Sequence, residues 1–219
     1  MDDHFVDVVL PCLNEEGALA GVLGKLPQGY RAIVVDNGST DDSVALAQRL
    51  GAKVVFQDSR GYGAAVHTGL EYASSDIVCF CDADGSLDLG CLPELVRIVR
   101  TSGADMAVGK RVPAARGVWP WHARAGNCVL AFILRRKGIP VTDIAPIRAV
   151  DRARLVELRV LDRAFGYPLE LLLKAAAAGW TVLERPVPYY CRAVGTRSKV
   201  SGSVRGTARA IKDMAKVLR

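Results

Sequence analysis

Asp82-Ala83-Asp84 follows the apolar run Ile77-Val-Cys-Phe-Cys81, so two carboxylates one residue apart leave the end of a strand on the same side of an extended backbone. Hard oxygen donors in that arrangement suit Mg²⁺ or Mn²⁺ carrying a substrate diphosphate, because such ions keep water and phosphate in their remaining positions. The same two acids would equally serve to cap the turn that follows. Asp36-Asn37-Gly38-Ser39 ends a second apolar run, where a carboxylate can accept from the imide of uracil or the amidine edge of guanine, or can close an Asx turn around a required Gly. Pro11-Cys-Leu-Asn-Glu15 closes the first run at equivalent depth, with Asn14 as a helix cap in the plainer reading.

Something must bring these three segments together. Residues 5–10, 32–35, 53–56, 77–81 and 106–109 read as strands, and residues 18–26, 42–50, 64–73 and 93–99 as the helices between them, with Gly51 as a stop. Strand-helix alternation over the first hundred residues predicts a parallel, doubly wound sheet, in which ligands bind at the carboxyl ends of the strands. After position 110 the pattern loosens. Residues 111–124 read as a long Pro/Gly/Trp-rich loop, 127–136 and 169–178 as helices, and 181–183 and 187–190 as short strands interrupted by Pro186 and Pro188. Residues 204–219 form a basic amphipathic helix with Val204, Ala208, Ile211, Ala215 and Leu218 on one face. Such a helix either rests on anionic lipid or packs on the domain with its charges in water.

The combination and order of these segments carry a resemblance. Val9-Leu-Pro-Cys-Leu-Asn-Glu-Glu16, Val34-Val-Asp-Asn-Gly-Ser-Thr-Asp41, Arg60-Gly-Tyr-Gly-Ala-Ala65, Cys81-Asp-Ala-Asp-Gly-Ser86, Gly109-Lys-Arg111 and residues 192–199 resemble the inverting, GT-A-fold glycosyltransferases of family 2, and within them the dolichyl- and polyprenyl-phosphate sugar synthases. The resemblance implies an α/β fold with a Rossmann-like, mostly parallel central sheet, helices on both faces, and one domain. Within it, 1–110 would bind the nucleotide sugar, 111–202 would face the acceptor and 203–219 would be the terminal helix.

It also implies roles. Pro11, Leu13 and Glu15 line the nucleoside pocket, and Asp36, with Asn37, Gly38 and Ser39, holds the base. Asp82-Ala83-Asp84 bracket the ribose and diphosphate, Asp82 and Asp84 as metal ligands, and Gly61 and Gly63 form a turn beneath the nucleotide. Arg111, Arg197 and Lys199 would face the negative charge that builds on the leaving diphosphate. Asp143 is the first choice for a base or acceptor-orienting group and Glu170 the second, with Asp143 paired to Arg148 or Arg152 as the alternative; a phosphate acceptor, already anionic at pH 7, would need neither. The family often has two acids where this chain has Asp36-Asn37, and the synthases often have Gln or His where this chain has Ser86, so the third protein ligand of the metal is unassigned.

Composition narrows the partners. The formal charge of +6 favours anionic ones, yet the basic residues are not interleaved with aromatics on any nucleic-acid-binding module. The six cysteines are scattered without metal-ligand spacing and read as buried, reduced thiols. The acidic start at Met1-Asp2-Asp3 points to a cytoplasmic location, with peripheral contact at the inner face of a membrane through 203–219. The expected reaction is transfer of a sugar from a UDP- or GDP-sugar to polyprenyl phosphate or, alternatively, to a soluble metabolite, glycan or protein. A sugar-1-phosphate nucleotidyltransferase would carry a Gly-rich loop with a basic residue after the first strand, where this chain has acids. A non-catalytic nucleotide-sugar module would have no need of both Asp82 and Asp84.

Overall fold

The computed structural model of the protein describes residues 5–194, 196 and 204–218. Its centre is a seven-stranded sheet of order β3-β2-β1-β4-β6-β5-β7, formed by β1 (Val6–Cys12), β2 (Tyr30–Asp36), β3 (Lys53–Phe56), β4 (Ile77–Phe80), β5 (Met106–Pro113), β6 (Ile147–Asp151) and β7 (Val182–Tyr189). All neighbours pair in parallel except β6, which runs against both β4 and β5. The central strands are apolar on both faces, as a sheet covered on both sides requires. Val6, Val8, Leu10 and Cys12 of β1 join Ala32, Val34 and Cys79 in one core layer, while Val9 joins Ile33, Val35, Val78 and Phe80 in the other.

Helices α1 (Glu16–Leu23), α2 (Ser43–Arg49) and α4 (Leu92–Ser102) cover the first layer. The second is covered by α3 (Tyr62–Tyr72), α5 (Trp121–Arg136) and α7 (Tyr167–Ala177), with α6 (Arg152–Glu157) following β6. The helix stop marked by Gly51 is realised at φ +80°, and Gly179 ends α7 in the same way at φ +69°.

Three expectations change. Residues 147–151, not anticipated as a strand, form β6 in the middle of the sheet; Arg148 breaks its apolar run because its side chain stands at the cleft end of the sheet. The long loop shrinks, since β5 continues to Pro113 and α5 starts at Trp121 directly after Pro120. The two short strands around Pro186 and Pro188 are one continuous β7, paired with β5 from Val182 to Tyr189. Pro186 and Pro188 have no N–H to give the ladder and are tolerated because β7 is the edge strand, on which both are exposed.

The terminal helix α8 (Val204–Val217) packs on the domain, but not through its apolar stripe. Ala210 and Asp213 are buried, and Met214 and Val217 pack on the second core layer. Ala208, Ile211, Ala215 and Leu218 stay exposed, Ile211 at 63%. Of the cysteines, Cys12, Cys79 and Cys81 are buried as expected, whereas Cys128 and Cys191 are exposed. Among the described residues no helix is long and apolar enough to cross a membrane.

Candidate active site

The carboxyl ends of β1, β2 and β4 open on one cleft of about 960 Å³, lined by Pro11, Leu13 and Glu15 from the first strand end, Asn37 from the second, and Asp82, Ala83 and Asp84 from the fourth. The loops after β1 and β2 are stitched together. Asn14, at φ +55°, does not cap α1; its Oδ1 accepts from the Thr40 N–H at 2.7 Å, and its own N–H donates to Ser39 Oγ at 2.9 Å. The Glu15 N–H donates to Ser43 Oγ at 2.9 Å. These bonds fix the depth at which the two loops meet the cleft.

At the end of β2, the Asp36 carboxylate accepts from the N–H groups of Gly38 and Ser39, both at 3.1 Å, with Gly38 at φ +89°. The Asx turn is therefore the observed use of Asp36. Asn37 does something an acid could not: its Nδ2 donates to the carbonyls of Gln57 and Ser59, at 2.9 and 2.8 Å, while its Oδ1 accepts from the Gly61 N–H at 2.8 Å. An aspartate has no hydrogens to offer two carbonyls, so the departure from two acids to Asp36-Asn37 has a local structural reason.

The glycines at the start of α3 serve a close backbone approach. The N–H groups of Gly63 and Ala64 donate to the carbonyls of Ala164 and Arg163, at 3.0 and 2.8 Å, and so are not offered to a ligand. A Cβ on Gly61 would strike the Arg163 carbonyl oxygen, and one on Gly63 would lie 2.6 Å from that of Asp162. Gly61 lines the cleft; Gly63 lies behind it against residues 162–164, which corrects its placement beneath the nucleotide. Gly63→Ala is expected to destabilise the fold by about 1–3 kcal/mol through overpacking against backbone, read as a lower urea midpoint with unchanged slope.

Asp82 and Asp84 form the acidic floor. Asp84 is 2% exposed; its Oδ1 accepts from the Ser86 N–H at 2.9 Å, and its Oδ2 meets the Arg192 guanidinium in an ion pair. Asp82 accepts no hydrogen bond from any described residue. Burial and then the charge of Asp84 push its carboxyl up to about 6, against the opposing pull of Arg192, Arg111 and Arg148. A carboxylate without donors, beside a second one, in a cleft that penalises its charge, is a donor set that a hard divalent cation would relieve.

Arg111 leaves β5 beside this floor. Its Nε and Nη2 donate to Asp143 at 2.8 and 2.6 Å, its backbone N–H donates to the same carboxylate at 2.9 Å, and its guanidinium lies 4.1 Å from the Trp119 ring centroid. Asp143 is 1% exposed and also accepts from the Ala145 N–H at 3.2 Å. Its partner is thus Arg111, neither Arg148 nor Arg152, and its oxygens are spent on holding that guanidinium rather than facing the cleft. Glu170 is placed elsewhere: its carboxylate accepts from the N–H groups of Leu161 and Asp162 and pairs with Lys174 at 3.0 Å, outside the cleft. Satisfying a loop consumes the group that was expected to serve as second base. Arg197 and Lys199 lie outside the described residues.

Further residues complete the cleft. Arg148, Trp119 and Tyr189 line it, together with an apolar wall from α5 and α8 that includes Val129, Ile133, Ile211 and Leu218. Two of them carried a signal in the sequence: Trp119, which beside Pro120 reads as a sugar or lipid contact or a loop anchor, and Arg148, charged within an otherwise apolar segment.

An α/β sheet of this order, with paired acids and arginines gathered where its strands end, defines a glycosyltransferase of the GT-A architecture. The chain belongs to glycosyl transferase family 2, whose profile matches residues 7–156. A protein of Mycobacterium tuberculosis named as an uncharacterised glycosyltransferase is 54% identical over 214 residues, covering 97% of each chain. Polyprenol monophosphomannose synthase of Mycolicibacterium smegmatis is 31% identical over 220 residues, which is 90% of this chain and 81% of that one. Among solved structures, glucosyl-3-phosphoglycerate synthase of Mycobacterium tuberculosis with Mn²⁺, UDP and glucosyl-3-phosphoglycerate superposes with a TM-score of 0.78 at 24% identity, over 98% of this chain and 78% of that one, and shares the fold.

Proposed function

We propose that this enzyme transfers a sugar, with inversion, from a UDP- or GDP-sugar to polyprenyl phosphate at a membrane surface. The observation that carries the lipid acceptor is the apolar stripe of α8: Ile211 and Leu218 line the cleft mouth and remain exposed instead of packing into the core. A prenyl chain can lie along that wall while its phosphate reaches the polar floor. The relative named as a polyprenol monophosphomannose synthase supports the same acceptor class.

Residues 1–110 supply the donor side: Pro11, Leu13 and Glu15 flank the nucleoside, with Asp36 at its base edge, and Asp82 and Asp84 hold Mg²⁺ or Mn²⁺. When bound, that ion neutralises charge developing on the leaving diphosphate. Arg111, fixed by Asp143 and stacked on Trp119, presents a preorganised cation to the same region. The glucosyl-3-phosphoglycerate synthase crystallised with Mn²⁺ and UDP supports this choice of metal and of nucleotide. With a phosphate acceptor, whose oxygen is already anionic at pH 7, the commitment of Asp143 to Arg111 is no obstacle, because transfer then needs no protein base.

Incubation with labelled UDP- and GDP-sugars, Mn²⁺ and polyprenyl phosphate is expected to move label into the solvent-extractable lipid phase. Label found only in water-soluble products would overturn the lipid acceptor and assign a soluble one. Membrane contact has its own test. Arg205, Arg209, Lys212 and Lys216 are exposed beside the apolar stripe, an arrangement suited to anionic headgroups. Replacing both Ile211 and Leu218 with Asp is expected to weaken co-sedimentation with phosphatidylglycerol vesicles about tenfold or more, given roughly 1.5–3 kcal/mol for each apolar side chain withdrawn from lipid.

A further inference from the structure

Three arginines act on the charge of Asp82: Arg192, Arg111 and Arg148. The first two have carboxylate partners, Asp84 and Asp143 respectively. Arg148 has none within ion-pair distance among the described residues. It is 3% exposed, it lines the cleft, and of its guanidinium nitrogens only Nη2 is bonded, to the carbonyls of Ala145 and Ile144; its Nε is buried without a partner.

A desolvated guanidinium with no carboxylate in ion-pair contact is costly, and such a group is retained where an anion or a full set of acceptors meets it. A second orphan stands in the same cluster. The Tyr167 hydroxyl, on a side chain 2% exposed, has no hydrogen-bond partner, and Tyr167 lies within electrostatic reach of Arg148. Tyr62, which lines the cleft at the start of α3, is under the influence of Arg148, Asp82 and Tyr167 together. The register explains the gathering: Arg148 is opposite Phe80 of β4 and Val108 of β5, so β6, running against its neighbours, delivers a residue from its own beginning to the place where β4 ends.

We propose that Arg148 forms an oxyanion subsite for a phosphate group on the floor of the cleft. With Nη2 anchored to the β6 approach, Nε–H and the Nη1 N–H groups lie on different edges of the planar guanidinium, so Arg148 meets the anion through single N–H donors and its charge rather than as a bidentate fork. The phosphate comes either from the donor diphosphate or from the acceptor, and the acceptor case rests on the function proposed above.

Two titrations separate these sources without requiring turnover. Wild-type, Arg148→Lys and Arg148→Met chains are titrated by calorimetry with UDP and GDP in Mn²⁺, and separately with farnesyl phosphate in the absence of nucleotide. The dissociation constant is expected to rise at least tenfold in Arg148→Met, with partial recovery in Arg148→Lys; a rise confined to the nucleotide assigns the donor, one confined to farnesyl phosphate the acceptor, and a rise in both a shared subsite. Because either variant could fail to fold, the wild-type protein is also followed by its Arg148 Nε–H resonance during both titrations, where a ligand-dependent shift is expected. Unchanged affinities in folded variants, or an Arg148 resonance that neither ligand moves, would overturn the subsite. A chain that binds phosphate through Arg148 yet transfers no sugar to lipid would leave the subsite standing and remove only the lipid acceptor.

Discussion

Replacing Asp84 with Asn is expected to lower kcat/KM for sugar transfer by about 10³, or roughly 4 kcal/mol of transition-state stabilisation, while leaving the protein folded. The substitution is nearly isosteric. Asparagine retains the Oδ1 that accepts from the Ser86 N–H, so the turn after β4 keeps its hydrogen bond. What disappears is the negative charge, and with it half of the oxygen pair available to a divalent ion. Arg192 loses its partner, but its side chain is 30% exposed and stays solvated, so the cost to the fold is small. Transfer assays over a range of Mn²⁺ concentrations, with thermal melts of the same samples, check both halves of the expectation. Turnover unchanged in a folded Asp84→Asn protein would remove the acidic pair from the chemistry.

Asp143→Ala is expected to act in the opposite proportion, with a large loss of stability and a secondary loss of activity. The carboxylate is 1% exposed and receives two side-chain bonds and one backbone bond from Arg111. Removing one member of a buried pair leaves the other uncompensated, at about 3–5 kcal/mol. For a chain of this size that corresponds to a melting temperature lower by roughly 10 °C. Arg111, released from its clamp, would also wander from the cleft floor and raise KM for the nucleotide sugar. A base would leave a different signature. If Asp143 took the acceptor proton, the variant would lose the acidic limb of its pH–rate profile, whereas a positioning role leaves that limb in place and splits the effect between stability and KM. Measuring kcat and KM across pH on Asp143→Asn, the milder substitution, separates the two.

The contrast between these residues shows what the amino-acid order could and could not reveal. The parallel half of the sheet was legible because Val8 to Leu10, Ala32 to Val35 and Ile77 to Phe80 are apolar runs that end near polar residues, as strands of a buried parallel sheet require. That rule also led to Asp82 and Asp84. Residue roles set by distant partners were not legible. Asp143 and Arg111 are 32 positions apart, and nothing in either neighbourhood announces the other; Glu170 turns out to serve the 161–162 backbone, a need visible only once the loop has a shape. β6 escaped because a strand of five residues holding an arginine has no clear period. The face on which α8 packs was left open by the sequence for a related reason. Its most apolar stripe is the natural choice for the core, yet the helix buries Ala210 and Asp213 instead.

The prolines of β7 reach beyond the strand itself. In a sheet, the border carries a row of unsatisfied backbone donors and acceptors that can recruit a foreign strand, and aggregation by that route threatens any protein with a long flat margin. Pro186 and Pro188 sit two residues apart within a ladder that β5 completes on the inner side, so the donors they lack are those of the outward row. The margin lacks two of its outward donors, which makes it a poor template for another chain. Crowding many copies together, as confinement to a surface would, then carries less risk of fusion along this seam.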